Sequence, residues 1–163
     1  MPDLTRFARA LIAPAMAASL GACAPHTAPS LSVTGVRVAQ RTDAGLVIDF
    51  QIDARNVNSF ALPLKRARYT VWLDDRRVFR GVRSPEASLR RLGTQRLHLP
   101  AAIPSSVPLP HDVVRYRISG TLSYVRPGAL AEVLFDAGLI TPSTSFSHTG
   151  TIDLAGPTTN EGR

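Results

Sequence analysis

A mainly β chain, folded as an antiparallel sandwich of about seven strands with one short helix, is the fold class that this sequence predicts, and three observations predict it. Nearly every segment between residues 31 and 155 alternates apolar and polar side chains with period two, which buries one face of a strand and wets the other. Only one short stretch instead follows helical spacing. The length, 163 residues with 44% hydrophobic and 19% charged side chains, is that of one domain with an ordinary core rather than of a disordered chain.

The first strand carries Leu31 and Val33, then Val36 and Val38, so its alternation slips by one residue at Gly35. A β-bulge there accounts for the slip. Leu46, Ile48, Phe50, Ile52 and Ala54 form the inner row of the second strand, with Asp49, Gln51, Asp53 and Arg55 on the wet side. Ala67, Tyr69, Val71 and Leu73 alternate with Arg66, Arg68, Thr70 and Trp72, after which Asp74-Asp75 reads as a hairpin turn into Arg77–Gly81. Leu97 and Leu99 mark a short strand, and a proline-punctuated crossing runs from Pro100 to Pro110. Tyr116, Ile118, Gly120, Leu122 and Tyr124 share one face of a long strand whose other face holds Arg115, Arg117, Ser119, Thr121 and Ser123. Leu130, Val133, Leu134 and Ala137, ending near Gly138, have helical spacing and are expected to cap one open end of the sandwich, with a lipid-binding groove beneath the helix as the alternative. Phe146, His148, Gly150, Ile152 and Leu154 form the inward row of the last strand.

The stretch Asn56-Val57-Asn58-Ser59-Phe60-Ala61-Leu62-Pro63-Leu64, followed by Tyr69 to Asp74, resembles the Asn-Pro-Asn signature of type 2 late-embryogenesis-abundant proteins, also described as water-stress and hypersensitive-response (WHy) domains. Arg117 to Leu122 and Phe146 to Leu154 are similar to further parts of that pattern. Val57 stands where proline is usual. The resemblance implies an Ig-like or fibronectin-like sandwich over residues 31–155, a non-enzymatic role and an association with desiccation or other stress. From the residues themselves, Asn56 and Asn58 are turn formers that bond their own backbone and Pro63 stiffens the entry to the next strand; the resemblance implies that Phe60 and Gly150 belong to the same structural motif.

Residues 1–22 read as an export signal, with Arg6 and Arg9 before an apolar run from Ala10 to Ala22 that is too short to span a bilayer. The run ends in Leu20-Gly21-Ala22-Cys23, which resembles the lipobox of bacterial lipoproteins, in which the cysteine becomes the lipidated first residue. Residues 23–30 would then be the lipidated cysteine and an Ala-Pro tether, and 156–163 a flexible tail. The similarity to lipoproteins implies a membrane anchor at Cys23, and Ala24 after it implies the outer membrane, facing the periplasm.

The single cysteine excludes an intrachain disulfide and a multi-cysteine zinc site, and the four histidines lack metal-ligand spacing, so neither a metal nor a cofactor is expected. Ser143, Ser145 and Ser147 lie near His148, but without a GxSxG elbow or an orienting aspartate they make no hydrolase. Between Lys65 and Arg96 there are ten basic and three acidic residues in a chain of net charge +7. With the strands of Arg66 and Arg68 and of Arg115 and Arg117 as neighbours, four guanidinium groups would share one wet face suited to anionic headgroups or another envelope component. Eighteen arginines to one lysine also fit a solvated face written in arginine by coding bias. Nucleic acid is not an expected partner, because Trp72 and the tyrosines form no interleaved stacking set.

Overall fold

Period-two patterning builds eight strands: β1 (Ser30–Thr42), β2 (Gly45–Asn56), β3 (Leu62–Leu73), β4 (Arg76–Arg83), β5 (Ser88–Leu89), β6 (Gly93–Pro104), β7 (Val113–Tyr124) and β8 (Ser143–Asp153), with one helix, α1 (Ala129–Asp136). The structure is a computed structural model and describes residues 26–109 and 113–155. The export segment 1–22, Cys23 and the tail 156–163 lie outside the described residues.

All pairings are antiparallel, in a three-stranded sheet of order β1-β2-β6 and a second sheet of order β4-β3-β7-β8 in which the short β5 also pairs with β3. The sheets stack with β1 near β8 and β4 near β6, so the inner rows predicted from alternation meet in one core. Ile48, Phe50, Val71 and Ile118 are completely buried in it. The Phe50 and Tyr116 rings cross it edge to face, 5.6 Å apart. Buried Tyr69 donates its hydroxyl to the Pro100 carbonyl of the opposite sheet, and burial pushes its phenol pKa up to about 12, which keeps the donor protonated.

Local sequence explains the connections. Asp74 and Asp75 both have positive φ, 43° and 65°, in the two-residue turn between paired Leu73 and Arg76, a conformation that short polar side chains tolerate. The bulge expected at Gly35 is present as a register shift between Val33 and Gly35, and a second shift follows between Val38 and Gln40. At Gly120 a Cβ would stand 2.5 Å from the Arg68 carbonyl oxygen and 2.8 Å from the Phe146 ring, so strand β7 passes too close to β3 for any side chain there.

Four expectations change. The strand at Leu97 and Leu99 is not short: β6 runs through Pro100 to Pro104, because β6 is a sheet edge paired only with β2, where a missing N–H costs no ladder bond. Asp49 is buried on the outer side of β2 rather than wet, covered by Arg37 at 3.3 Å and His98 at 2.8 Å. His148 is exposed: β8 is an edge strand, and Tyr116 takes the interior position and leaves the imidazole at the rim, its Nδ1 3.0 Å from the Tyr116 hydroxyl. Helix α1 does not cap the core, since Val133 is 63% exposed and neither Leu134 nor Phe135 packs against the buried cluster.

Phe50→Ala and Ile118→Ala are each expected to lower unfolding free energy by about 2–5 kcal/mol in urea titrations, through lost burial and the cavity left behind. Ser119→Ala, one residue away on the outer face, should cost less than about 1 kcal/mol. A costlier Ser119→Ala would mean that the faces are inverted.

Candidate functional site

Two asparagines after β2 organise one end of the sandwich. The Asn56 side chain is fully buried, and its Nδ2 donates to the carbonyls of Phe60 at 2.7 Å and Arg90 at 3.1 Å. Its Oδ1 accepts from the backbone N–H of Asn58 at 3.0 Å and from Asn58 Nδ2 at 2.8 Å. Asn58 then clasps Thr27 on both sides: its Oδ1 accepts the Thr27 N–H at 3.0 Å and its Nδ2 donates to the Thr27 carbonyl at 2.8 Å. The amide of Asn58 thus acts as one rung of a ladder for the chain ahead of β1.

His26 sits beside this clasp, stacked 6.0 Å from the Phe60 ring, with Nε2 3.1 Å from the Tyr124 hydroxyl. Among the described residues its Nδ1 is buried with no hydrogen-bond partner. Burial, and secondly the charge of Arg126, hold its pKa below the ordinary imidazole value. The segment expected to be a free tether is therefore attached to the domain from His26 onward, with Pro29 buried as well. Pro63 accepts the Val125 N–H through its carbonyl at 2.9 Å, and the Tyr116 ring covers Gly150 so closely that a Cβ would lie 2.9 Å from it.

Arg66, Arg68, Arg115 and Arg117 are all exposed on the outer side of the neighbouring strands β3 and β7, yet they do not form one cluster. Arg66 pairs with Ser123 and Arg68 with Thr121, whereas Arg117 lies opposite Trp72. At about 3.3 Å per residue the register separates Arg68 from Arg117 by about 13 Å along the strands and Arg66 from Arg115 by about 26 Å. The reason is the antiparallel pairing, which sends equivalent positions of a hairpin pair to opposite ends. Arg117 is stacked 4.3 Å above Trp72, and Arg115 lies 4.0 Å from Asp74 in the β3–β4 turn. Lys65, Arg66 and Arg68 line a hollow of about 520 Å³ that Phe135 and Asp136 of α1 also enter. Between the two arginine pairs lie Thr70 and Ser119, with Ser147 on one side and the exposed Arg80 of β4 on the other, while Arg77 stands opposite Trp72; Thr121 with Ser145 and Ser123 with Ser143 flank Arg68 and Arg66.

On the other sheet both acids of β2 are paired. Arg96 donates to Asp53 at 2.9 and 3.3 Å, and this contact holds the Asp53 carboxyl below the usual carboxylate range. Asp49, Arg37 and His98 form the second group, which sequence reading missed because alternation places Asp49 on the outer row without showing what covers it. No group of three or more His, Cys, Asp or Glu side chains among the described residues could hold a metal ion. Nor is any helix among them long and apolar enough to cross a membrane.

A family model described as late embryogenesis abundant protein matches residues 51–137. No curated protein matches the chain. Among solved structures it is similar to a solution structure of an Arabidopsis thaliana protein, with 18% identity and a TM-score of 0.61 over 79% of this chain and 85% of that one. A solution structure described as that of a late embryogenesis abundant protein has the same 18% identity and TM-score of 0.61, over 82% of this chain and 74% of that one. A crystal structure of a protein from Archaeoglobus fulgidus, 12% identical, covers 76% of this chain and 97% of its own with a TM-score of 0.55. At these identities the likeness is one of fold.

The two asparagines should respond differently to truncation. Asn56→Ala strands two carbonyls and the Asn58 amide and should cost about 1–3 kcal/mol in chemical denaturation. Asn58→Ala should leave the midpoint closer to wild type while amide exchange at Thr27 accelerates; unchanged exchange there would refute the clasp.

A ring held neutral by burial favours folding most fully above its ordinary pKa of about 6.5 and loses that contribution as pH falls. Attachment of residues 26 and 27 should therefore weaken below about pH 6.5, seen as exchange at Thr27 faster than the intrinsic rate predicts. His26→Gln should abolish this pH dependence.

Proposed function

We propose that this chain, which belongs to the late embryogenesis abundant protein family, is a lipid-anchored, non-enzymatic domain of the bacterial cell envelope that acts in protection against desiccation and envelope stress. The observation that carries the reading is one of sequence and structure together. The only cysteine follows Leu20-Gly21-Ala22, and three residues beyond it the chain is clasped to the folded domain by Asn58 and Tyr124. A lipid on Cys23 would thus be joined to the sandwich by a very short leader. Each buried CH₂ of an acyl chain contributes about 0.8 kcal/mol, so two or three chains hold such a domain to a membrane almost permanently.

The polar groups that might otherwise suggest chemistry are engaged in structure. Asn56 and Asn58 satisfy backbone groups, Asp49 is paired with Arg37 and His98, and His148 is bonded to Tyr116. Outward on β8, Ser143, Ser145, Ser147, Thr149 and Thr151 present a row of hydroxyls, which keeps hydrogen-bonding capacity towards water or polar polymers as water becomes scarce. An outer-membrane position facing the periplasm accords with Ala24 after the cysteine.

Cys23→Ser should remove the lipid mass and the detergent-phase partitioning of the mature protein, since serine cannot form the thioether. Membrane retention of that variant with the wild-type mass shift would overturn the anchor. A strain lacking the protein should survive drying or osmotic shock less well than its parent, and equal survival under both would overturn the protective role.

A further inference from the structure

The end of the sandwich that receives the N-terminal segment is also the end that exposes most of the apolar surface. Antiparallel register gathers there the β2–β3 connection, the turn between β5 and β6, and the segment between β7 and β8, because Asn56 pairs with Gly93, Leu64 with Tyr124 and Ser123 with Ser143. Of seven exposed large hydrophobic residues among those described, five belong to these connections: Val57 at 45%, Leu92 at 73%, Val133 at 63%, Leu139 at 73% and Ile140 at 46%. The other two, Val82 and Val113, lie on β4 and at the far start of β7.

Cations accompany them. Among the residues whose side chains are described, Lys65, Arg66, Arg90, Arg91 and Arg126 are exposed at this end, against the exposed acids Glu86 and Asp136. Arg126 also edges an apolar hollow of about 410 Å³ formed with Pro127, Ala131, Leu134, Ile140 and Pro142. Exposed apolar side chains ringed by cations fit the boundary between acyl chains and anionic headgroups, where the apolar tips leave water and the cations meet phosphate.

Chain length then decides the occupant. Cys23 stands three residues before His26, and three residues span at most about 11 Å. With a lipid on Cys23, His26 stands within about that reach of the headgroup layer, and the Phe60 and Tyr124 rings lie 6.0 and 5.5 Å from the His26 ring. We propose that this end of the sandwich docks on an anionic lipid bilayer, seating Leu92, Leu139 and Ile140 at the interface with Arg90, Arg91 and Arg126 among the headgroups. The proposal rests on the anchor reading above. It places Arg115, Arg117 and Trp72 at the membrane-distal end, away from the lipid that a four-arginine face would have addressed.

Lipidation consumes the only thiol, so a second cysteine can be labelled alone. Leu92→Cys, Leu139→Cys and Val113→Cys, each in the lipidated full chain and carrying a nitroxide, would be placed in vesicles of phosphatidylglycerol and phosphatidylethanolamine. The ratio of collisions with bilayer-dissolved oxygen to collisions with an aqueous nickel complex should be several-fold higher at residues 92 and 139 than at residue 113. Joint replacement Arg90→Gln, Arg91→Gln and Arg126→Gln should lower the ratio at residue 92, as should exchanging the anionic lipid for phosphatidylcholine. Equal ratios at the three sites in lipidated protein would overturn docking and leave the anchor standing. Mass spectrometry finding no lipid on Cys23 would overturn the anchor and the docking with it.

Discussion

One carboxamide ties together parts of the chain that are far apart in sequence. Asn56 ends β2, reaches the carbonyls of Phe60 and Arg90 with one nitrogen, and holds Asn58 with its oxygen. The loop into β3, the segment that follows β5 and the chain ahead of β1 all depend on that group, the last through Asn58 and Thr27. A buried amide is useful here because its two donors and its acceptor lie in one plane at fixed angles, so it can satisfy several backbone groups that no ladder reaches. The same burial makes it demanding, since any group left unpaired there keeps its full desolvation cost.

The two outer faces of the sandwich differ in kind. On the three-stranded sheet, Asp53 meets Arg96 and Asp49 meets Arg37 and His98, so both acids of β2 are paired. On the other sheet Arg66 and Arg68 lie beside α1 and Arg115 and Arg117 beside the β3–β4 turn, with Arg80 of β4 opposite Thr70 between them and Arg77 opposite Trp72. Positive charge therefore runs along that face from one end to the other and is not gathered at the four predicted arginines alone. Among the described residues, most of the exposed apolar side chains meet basic ones at the end where the chain enters, and this coincidence of charge, apolar surface and leader gives the molecule a direction.

Helix α1 is informative for what it does not do. Its apolar side chains follow helical spacing, yet Val133 faces solvent and Leu134 and Phe135 make no part of the core. Leu134 and Phe135 are half-buried along hollows at the surface, and the place of Leu134 beside Ile140 and Arg126 joins the helix to the proposed membrane-facing end.

Alternation along the chain by itself determined which residues of each long strand turn inward, because a strand has only two faces and burial of one of them selects the phase. It therefore located Phe50, Ile118 and the bulge at Gly35, and turn chemistry located the Asp74-Asp75 hairpin. The asparagine motif was legible as structural, and so were the four arginines as outward-facing. Only the tertiary structure decided what each outward residue meets. Whether Asp49 is covered depends on β1 and β6 lying on either side of β2, and whether four arginines make one patch depends on the register of β3 against β7. The attachment of His26 and Thr27 was hidden for the same reason: its partners, Asn58 and Tyr124, are distant in sequence, and a pattern read along one segment carries no term for a neighbour brought in by folding.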